Sequence, residues 1–383
     1  MSERGVYITR TGAFLPNAPV GNDDMERILG QVGDRPSRAR RAVLRSNGIL
    51  RRHYAIDPET LCFNDTNAGM AAGAVRALWR AGAPLPTIGC LACGTSIADQ
   101  LMPGHAVMVQ GELGLPACEV VSTAGVCVAG MTALKYAVMA IAGGQHRTAV
   151  ATGSEMASAS MRAGAFSPEI DARVERLEND PGLAFEKDFL RWMLSDGAGA
   201  VFLENSPRED HVCLRIDWLE ILSYAGELET CMYAGAIKEA NGSLVGWRQL
   251  GVEACGADSV MAVKQDVKLL HEEVVRYTVE KPLAVLTLRR ELRAEDVDYF
   301  LPHYSSQFFR DRLQAGLRRA GLDIPPERWF TTIESTGNTG SASIYIMLDA
   351  LFRSGRIERG QRLLCFVPES GRFSSAYLHL TAV

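Results

Sequence analysis

Short apolar runs that suit strands alternate with longer segments of helical periodicity along most of the chain. Residues 87–96 (TIGCLACGTS) and 148–155 (TAVATGSE) are small and apolar, which is typical of buried strands. Residues 64–82 (NDTNAGMAAGAVRALWRAG) and 130–144 (GMTALKYAVMAIAGG) predict helices that end at glycine. Strands that alternate with helices predict an α/β fold with largely parallel sheets.

The N-terminal residues continue this pattern. Residues 5–16 predict a strand and a turn, and residues 22–32 (NDDMERILGQV) predict a helix. We expect Asn22 to be the N-cap of that helix, because acidic residues follow it in the first turn.

Two distant segments, 125–155 and 336–370, resemble each other. Each opens with small residues, runs through a helix to glycine, continues as a strand and ends at a Ser/Glu pair. The self-similarity predicts two halves of one topology, residues 1–205 and 206–383, related by a pseudo-twofold axis. Such an axis brings the two helix starts together in the middle of the molecule. Within the second half we expect residues 206–295 to form an irregular insertion over a pocket.

Composition and charge narrow the class of protein. The 383 residues are 47% hydrophobic and 22% charged, as in globular proteins, and the net charge of −5 gives no indication of nucleic-acid binding. No apolar run has the length of a signal peptide or a membrane span, so we expect a cytoplasmic protein with no membrane partner.

The nine cysteines are scattered and odd in number, which favours reduced thiols. Cys90 and Cys93 form a CxxC, but no second pair follows at the spacing of a zinc site. We expect no metal and no cofactor.

Three segments carry candidate chemistry. Cys127 follows a small-residue turn and precedes a helix, where the helix dipole and free amides favour a thiolate and lower the pKa of the thiol. His303 follows an apolar strand, and strand ends are where α/β folds place reactive groups. Asn338 lies in a glycine-rich turn that opens a helix. Taken singly, Cys127 reads equally well as a buried thiol, and His303 and Asn338 read better as a core histidine and a turn-forming asparagine.

Together these segments resemble the β-ketoacyl-acyl-carrier-protein synthase III family, which has the thiolase fold. The resemblance covers nearly the whole chain. It rests on 46–57 (SNGILRRHYAID), 195–205 (SDGAGAVFLEN), 301–309 (LPHYSSQFF) and 335–348 (STGNTGSASIYIML). It implies a homodimer. Each subunit has five layers, αβαβα, and is built from two pseudo-twofold-related halves.

The resemblance also implies roles. Cys127 takes an acyl group from a thioester, while His303 and Asn338 donate hydrogen bonds to the carbonyl of a second thioester. The resulting enolate, formed by loss of CO2 or of a proton, attacks the acyl-cysteine. The amide of Cys127 and one from the loop with Gly371 and Arg372 hold the oxyanion.

Several positions depart from the family pattern. The glycine-rich C-terminal loop reads ESGRF here, so Glu369 is either a base for a non-decarboxylating step or a side chain turned away. Met102 stands where the family plugs the partner subunit's acyl pocket with phenylalanine. An adaptable methionine there predicts a longer primer at a dimer interface, or a simple packing change.

The expected macromolecular partner is an acyl carrier protein. Carrier proteins are acidic, and the resemblance places their docking surface on Arg40, Arg41, Arg45 and Arg310, within or near a cluster that also holds arginines 35, 38, 51 and 52. The family's CoA-clamping tryptophan falls on Ala42, which favours a carrier-bound donor. The alternative for the cluster is a solvated arginine face.

The sequence therefore predicts a ketosynthase that performs acyl transfer and then Claisen condensation with a malonyl or β-ketoacyl thioester. The N-terminal residues also resemble a branch that joins two β-ketoacyl chains into cyclohexanediones or dialkylresorcinols. Two alternatives stay open: a same-fold O- or N-acyltransferase that makes no carbon–carbon bond, and a non-catalytic partner subunit of a heterodimer.

Overall fold

The computed structural model describes residues 5–32, 40–165, 190–251, 253, 255 and 260–383. Fifteen strands run through these residues: β1 Tyr7–Phe14, β2 Val20–Gly21, β3 Arg51–Arg52, β4 Cys90–Thr95, β5 Glu119–Ala124, β6 Thr148–Glu155, β7 Gly197–Glu204, β8 Leu214–Ser223, β9 Met232–Tyr233, β10 Ala236–Lys238, β11 Leu244–Gly246, β12 Lys264–Gln265, β13 Tyr299–Pro302, β14 Arg362–Glu369 and β15 Ser374–Ala382.

The α-helices in the same residues are α1 Met25–Leu29, α2 Arg40–Asn47, α3 Asn67–Arg76, α4 His105–Leu113, α5 Val128–Ala142, α6 Ser158–Met161, α7 Trp247–Leu250, α8 Val267–Val275, α9 Lys281–Arg289, α10 Arg310–Arg319, α11 Ile333–Thr336 and α12 Ser343–Arg353. A π-helical segment, Arg276–Glu280, joins α8 to α9. Short 3₁₀ turns include Gln307–Phe309 and Gly340–Ala342.

The main sheet repeats one strand order on either side of its centre. Its nine strands run β13-β14-β15-β8-β1-β7-β6-β4-β5. Outward from the central β1–β8 pair, β7, β6 and β4 match β15, β14 and β13, with two antiparallel ladders and then a parallel one on each side. The strand order therefore carries the pseudo-twofold relation that the sequence predicts.

Helices fill the space between and outside the two halves of the sheet. One buried cluster joins α5 and α12 to residues of both halves, such as Ala92 and Cys365. A second packs α3 and α4 on the outer face of the N-terminal half. A third packs α8, α9 and α10 on the outer face of the C-terminal half. The result is the five-layered αβαβα arrangement of the thiolase fold.

The central layer is packed backbone to backbone. A Cβ on Gly153 of β6 would lie 2.2 Å from the Ser341 carbonyl oxygen, and one on Gly130 of α5 would lie 2.5 Å from the same atom. The Tyr345 hydroxyl of α12 donates to the Gly130 carbonyl at 2.7 Å. Small residues at the start of α5 and just ahead of α12 thus let the two halves meet closely, beside Cys127 and Asn338.

Two predictions about local structure need correction. Residues 206–295 are not one irregular insertion, because they contain the ten-residue strand β8, the helices α8 and α9 and the π-helical segment between them. The irregular part of these residues is limited to the small hairpins between β8 and α8. Asn22 does not cap α1; that helix starts at Met25 after Asp24, and Asn22 Oδ1 accepts from Arg52 Nη1 at 2.5 Å.

The cysteines behave as small apolar residues. All nine are free thiols. Cys90 and Cys93 point to opposite faces of β4, since Cys90 joins the central cluster and Cys93 the outer one. Two thiols on opposite faces of a strand cannot bind the same zinc ion. In the part of the chain that the structure describes, no helix combines the length and apolar character of a membrane span.

Gly153→Ala is expected to lower the free energy of unfolding by about 1–3 kcal/mol, because the new methyl group overpacks the central layer. Urea unfolding followed by circular dichroism measures the change. Gly111→Ala in α4 is the matched control, since its Cβ meets open space, and it should add about 0.5–1 kcal/mol. Equal stability of the Gly153 variant and the native protein would contradict the close central packing.

Candidate active site

Cys127 stands between β5 and α5. The turn formed by Gly125 and Val126 leads out of the strand, and Cys127 has helical backbone angles immediately before Val128, the first residue of the helix. Gly125 has a φ of 156° and Thr123 Oγ1 donates to the Ala129 carbonyl at 2.8 Å. These contacts fix the thiol at the first turn of a central helix.

His303 follows β13 directly. Its amide donates to the Phe366 carbonyl at 2.8 Å, which extends the parallel pairing of β13 with β14 by one residue. The side chain is only 4% exposed. The strand end predicted from the sequence therefore places an imidazole in the interior of the protein.

Asn338 is held by backbone contacts on both sides. Its amide donates to the Met193 carbonyl and its carbonyl accepts from the Ser195 amide, each at 2.9 Å. Its Oδ1 accepts from the Gly340 amide at 3.0 Å. Because that bond occupies the oxygen, the amide nitrogen Nδ2 is the atom left to donate to a ligand.

The three side chains meet at one cavity. Cys127, His303 and Asn338 all line it, together with Met232 and Ser370. We call this the first cavity. A second cavity shares Cys127, Asn338 and Met232 with the first and extends toward Ser96 and Glu155. The thiol and the asparagine thus stand at the junction of two spaces.

Burial sets the protonation of the site, and it reverses the prediction of a lowered pKa for the Cys127 thiol. The pKa of the Cys127 thiol is raised well above its ordinary value, first by burial and then by the negative charges of Glu369 and Glu155. The helix start does not outweigh these effects. Burial also lowers the pKa of His303 to about 4, so at neutral pH the imidazole is uncharged. A neutral histidine can still donate through one ring nitrogen.

Glu369 is turned toward the site, and its contacts are structural. Its Oε2 accepts from the amides of Val126 at 3.0 Å and Val128 at 3.1 Å, on either side of Cys127. Burial raises the pKa of this carboxyl. The carboxylate therefore serves as a cap for α5, and Glu369 is absent from the lining of both cavities.

Of the loop residues, Gly371 is buried and its carbonyl accepts from the amides of Cys231 and Met232 at 2.9 and 3.2 Å. The exposed Arg372 side chain donates to the Leu228 carbonyl at 3.0 Å. Its guanidinium thus brings no cation to the cavities, so only a backbone role is left for this position.

Glu155 is a site residue that the sequence prediction missed. It ends β6, lines the second cavity and is 7% exposed. Burial raises the pKa of its carboxyl to about 7. The available signal was the Ser/Glu pair that ends both repeated segments, since Glu155 and Glu369 close the matching strands β6 and β14.

The predicted docking arginines divide into two groups. Arg41, Arg45 and Arg310 are exposed, and α2 packs against the turn that precedes Arg310. Arg40 departs from the prediction: its side chain is 20% exposed and pairs with Glu26 at 2.8 Å, which neutralises its charge.

Of the other arginines in the cluster, Arg51 is exposed. Arg52 is buried, and its Nε donates to the Trp192 carbonyl at 3.2 Å. Arg35 and Arg38 lie outside the described residues.

Met102 lies far out on the surface, 84% exposed, beside Leu101 at 74%. It contributes to neither cavity of the single chain. Within the described residues, no group of three or more His, Cys, Asp or Glu side chains is arranged to hold a metal ion.

Glu369→Gln is expected to lower the pKa of Cys127, because it removes a negative charge beside the thiol. A lower pKa gives more thiolate at fixed pH. Iodoacetamide labelling at pH 8, read by peptide mass spectrometry, should then be about threefold faster at Cys127, since one nearby charge contributes up to ~1 kcal/mol. The exposed Glu358→Gln is the control for charge alone, and an unchanged or slower rate would refute the effect.

Comparisons with known proteins find similar sequences and similar folds. Residues 288–375 match the family model described as 3-oxoacyl-[acyl-carrier-protein (ACP)] synthase III C terminal. The chain is 27% identical over 372 residues, 95% of each chain, to a β-ketoacyl-[acyl-carrier-protein] synthase III of Xanthomonas campestris pv. campestris.

Solved structures share the fold across almost the whole chain. The structure titled AbyA1, tetronic acid condensing enzyme, matches with a TM-score of 0.72 at 21% identity, covering 98% of this chain and 99% of that one. The 3-oxoacyl-[acyl-carrier-protein] synthase III of Aquifex aeolicus VF5 matches with a TM-score of 0.71 at 21% identity, covering 98% and 100%. Over almost its whole length, the chain is thus similar in sequence to β-ketoacyl-acyl-carrier-protein synthase III proteins and shares the fold of solved synthases of that name.

Proposed function

We propose that this protein is a ketosynthase that loads an acyl group onto Cys127 and condenses it with a second, carrier-bound thioester. The observation that carries the proposal is the convergence of Cys127, His303 and Asn338 on one cavity. A thiol alone can accept an acyl group. A thiol that faces two hydrogen-bond donors also suits a reaction in which negative charge develops on a carbonyl oxygen.

In the first half-reaction, the Sγ of Cys127 attacks the carbonyl carbon of an acyl thioester and the carrier thiol leaves. The Cys127 amide lies between two amides that Glu369 already binds, so this part of the backbone is rigid. We assign the oxyanion to the Cys127 amide and to an amide of the loop at Gly371 and Arg372. The bonds from Cys231 and Met232 to the Gly371 carbonyl support that assignment, because they fix the loop.

In the second half-reaction, His303 and Asn338 Nδ2 donate to the carbonyl oxygen of the incoming thioester. The low pKa of His303 supports this role, because a neutral imidazole donates without holding the enolate as a tight ion pair. The enolate carbon then attacks the acyl-cysteine. The donor orientation of Asn338 favours this reaction over simple ester or amide formation, which requires no enolate.

The two cavities suit two substrate arms that meet at the thiol. The first is mainly apolar; it is lined by residues such as Leu270, Val274, Val279 and Leu313. It lies next to the surface that carries Arg310, since Tyr304 and Phe309 also line it. Two arms at one thiol also suit products that carry two chains, as in the cyclohexanedione- and dialkylresorcinol-forming branch.

The partner of this reaction is an acyl carrier protein. Arg41, Arg45 and Arg310 supply an exposed basic surface near the first cavity, which suits an acidic carrier. We also propose a homodimer, in which Met102 reaches the partner's acyl pocket. The exposed Leu101 and Met102 support this, as does the outer edge of β5, which pairs with no strand of the described residues, because monomers rarely leave such features uncovered.

Intact-protein mass spectrometry with a panel of acyl-carrier-protein and acyl-CoA thioesters should detect an acyl adduct on the native protein and none on Cys127→Ala. His303→Ala and Asn338→Ala should still accept the acyl group. Their condensation rates should each fall by about 10²–10³-fold, as for loss of one oxyanion donor. The absence of an adduct with every donor would refute covalent catalysis and favour a non-catalytic partner subunit.

Reversing the charge of Arg41, Arg45 and Arg310 to Glu is expected to raise KM for carrier-bound acyl donors by roughly tenfold, since each lost attraction contributes about 0.5 kcal/mol. The same variant should use a free pantetheine thioester as well as the native protein does. Steady-state kinetics with both donors separates docking from chemistry. Reversal of Arg318 and Arg319, at the opposite end of α10 from Arg310, is the matched control.

A further inference from the structure

The second cavity contains a carboxyl that the proposed reaction does not yet use. Glu155 lines this cavity together with Cys127 and Asn338. Its side chain lies against the turn after Asn338, where a Cβ on Gly340 would approach the Glu155 Cγ to 2.8 Å. The carboxyl therefore faces the same space as the thiol and the donor amide.

Hydrogen bonds hold the carboxyl of Glu155 in place. Oε1 accepts three hydrogen bonds: from the Ser96 amide at 3.1 Å, from the Ser96 hydroxyl at 2.6 Å and from the Ser341 amide at 3.1 Å. The Ser341 hydroxyl also favours the ionised carboxyl. These bonds anchor the carboxyl, and its place in the lining of the second cavity leaves it accessible to a proton or a ligand there.

One turn of backbone orients both Glu155 and Asn338. The Gly340 amide donates to Asn338 Oδ1, and the next amide, of Ser341, donates to Glu155 Oε1. Consecutive amides hold the two side chains side by side. A carbonyl bonded to Asn338 Nδ2 would therefore have its neighbouring carbon close to the carboxyl.

Glu369, the matching residue of the other half, does not face a cavity. Its carboxylate is bonded to two amides at the start of α5, and it lines neither cavity. Of the two carboxyls near Cys127, only Glu155 faces substrate space. Its pKa of about 7 suits an acid–base group at neutral pH.

We propose that Glu155 is the base that removes a proton from the α-carbon of the second thioester, so that this protein condenses donors without losing CO2. The inference rests on the proposed ketosynthase function. It assigns the substrate class: an acyl or β-ketoacyl thioester with a free α-hydrogen.

The step balances without a further reactant. The carboxylate of Glu155 takes the α-proton, and the electron pair of the C–H bond becomes the enolate held by His303 and Asn338. The enolate carbon forms a bond to the acyl carbonyl carbon, and the bond from that carbon to Cys127 Sγ breaks. Glu155 then returns its proton to the thiolate, so the products are a β-keto thioester and the free enzyme.

The test separates this proton transfer from both acylation and condensation. Cys127→Ala is incubated in D2O with an acyl- or β-ketoacyl-carrier-protein donor, and deuterium at the α-carbon is measured by mass spectrometry. Exchange above the enzyme-free rate is expected, and adding Glu155→Gln should lower it by about 10²–10⁴-fold, as for loss of a general base. Melting temperature monitors folding.

A malonyl thioester provides the matched substrate control. Loss of CO2 generates its enolate without a base, so Glu155→Gln should slow condensation of non-carboxylated donors by the general-base factor and slow condensation of malonyl donors far less. Cys127 should still be acylated in this variant.

Three results would overturn the proposal. They are deuterium exchange unchanged by Glu155→Gln, loss of Cys127 acylation in the folded variant, and failure of the native protein to exchange or condense any non-carboxylated donor. The last result leaves the ketosynthase function standing if Cys127 is still acylated. Failure of acylation in the native protein refutes the ketosynthase function itself.

Ser96→Ala tests the anchor of the carboxyl. The Ser96 hydroxyl bond favours the ionised carboxyl, so its loss raises the pKa of Glu155 and should move the rise of exchange rate to higher pH. The other titratable groups near the carboxyl are the Cys127 thiol, absent in the Cys127→Ala background, and the capped Glu369. His105, on α4, bonds Ser154 and is neutral because burial lowers its pKa to about 4. An unshifted profile would contradict the role of Glu155.

Discussion

Each half of this molecule inserts a carboxylate into the other half. Glu369, at the end of β14, binds the amides at the start of α5, and Glu155, at the end of β6, binds the amide of Ser341 just ahead of α12. Both bonds are made where the central helices meet, and helix starts favour negative charge. The reactive groups stand on these two helix starts, so their relative positions depend on this exchange. The close approach at Gly130 and Gly153 makes the exchange possible, since larger side chains there would separate the helices.

Burial at the junction has a common effect on all titratable groups. It raises the pKa of the Cys127 thiol and of both carboxyls, and it lowers that of His303. The thiol and the imidazole therefore carry no charge at rest, and new charge develops only as the reaction proceeds. Donors that are already oriented, such as Asn338 Nδ2, then stabilise that charge without rearrangement. The capping carboxylate also keeps the thiol protonated until a substrate enters, which limits unwanted alkylation.

Much of the fold could be predicted from the sequence because its signals are local. The strand 148–155 coincides with β6, and the repeat of helix, glycine, strand and Ser/Glu predicted the matching halves. The helix start at Cys127 was also predicted, but the raised pKa of its thiol was not, because that pKa depends on burial between both halves and on the charge of Glu369, more than 200 positions away. Glu155 was missed for the same reason. Nothing near it in sequence indicates that Ser96 and Ser341 hold one of its oxygens. The pairing of Arg40 with Glu26 was likewise not predicted, because Glu26 lies in another helix.

The central β1–β8 ladder is short, with Tyr7 opposite Arg215 and Ile8 opposite Leu214. The halves are thus joined chiefly by the burial of α5 and α12 between them and only slightly by strand pairing. The chain crosses from one half to the other through the largely exposed residues 206–210. The peptide link there adds little to the contact between the two halves. We therefore expect a chain cleaved within residues 206–210 to reassemble from its two fragments.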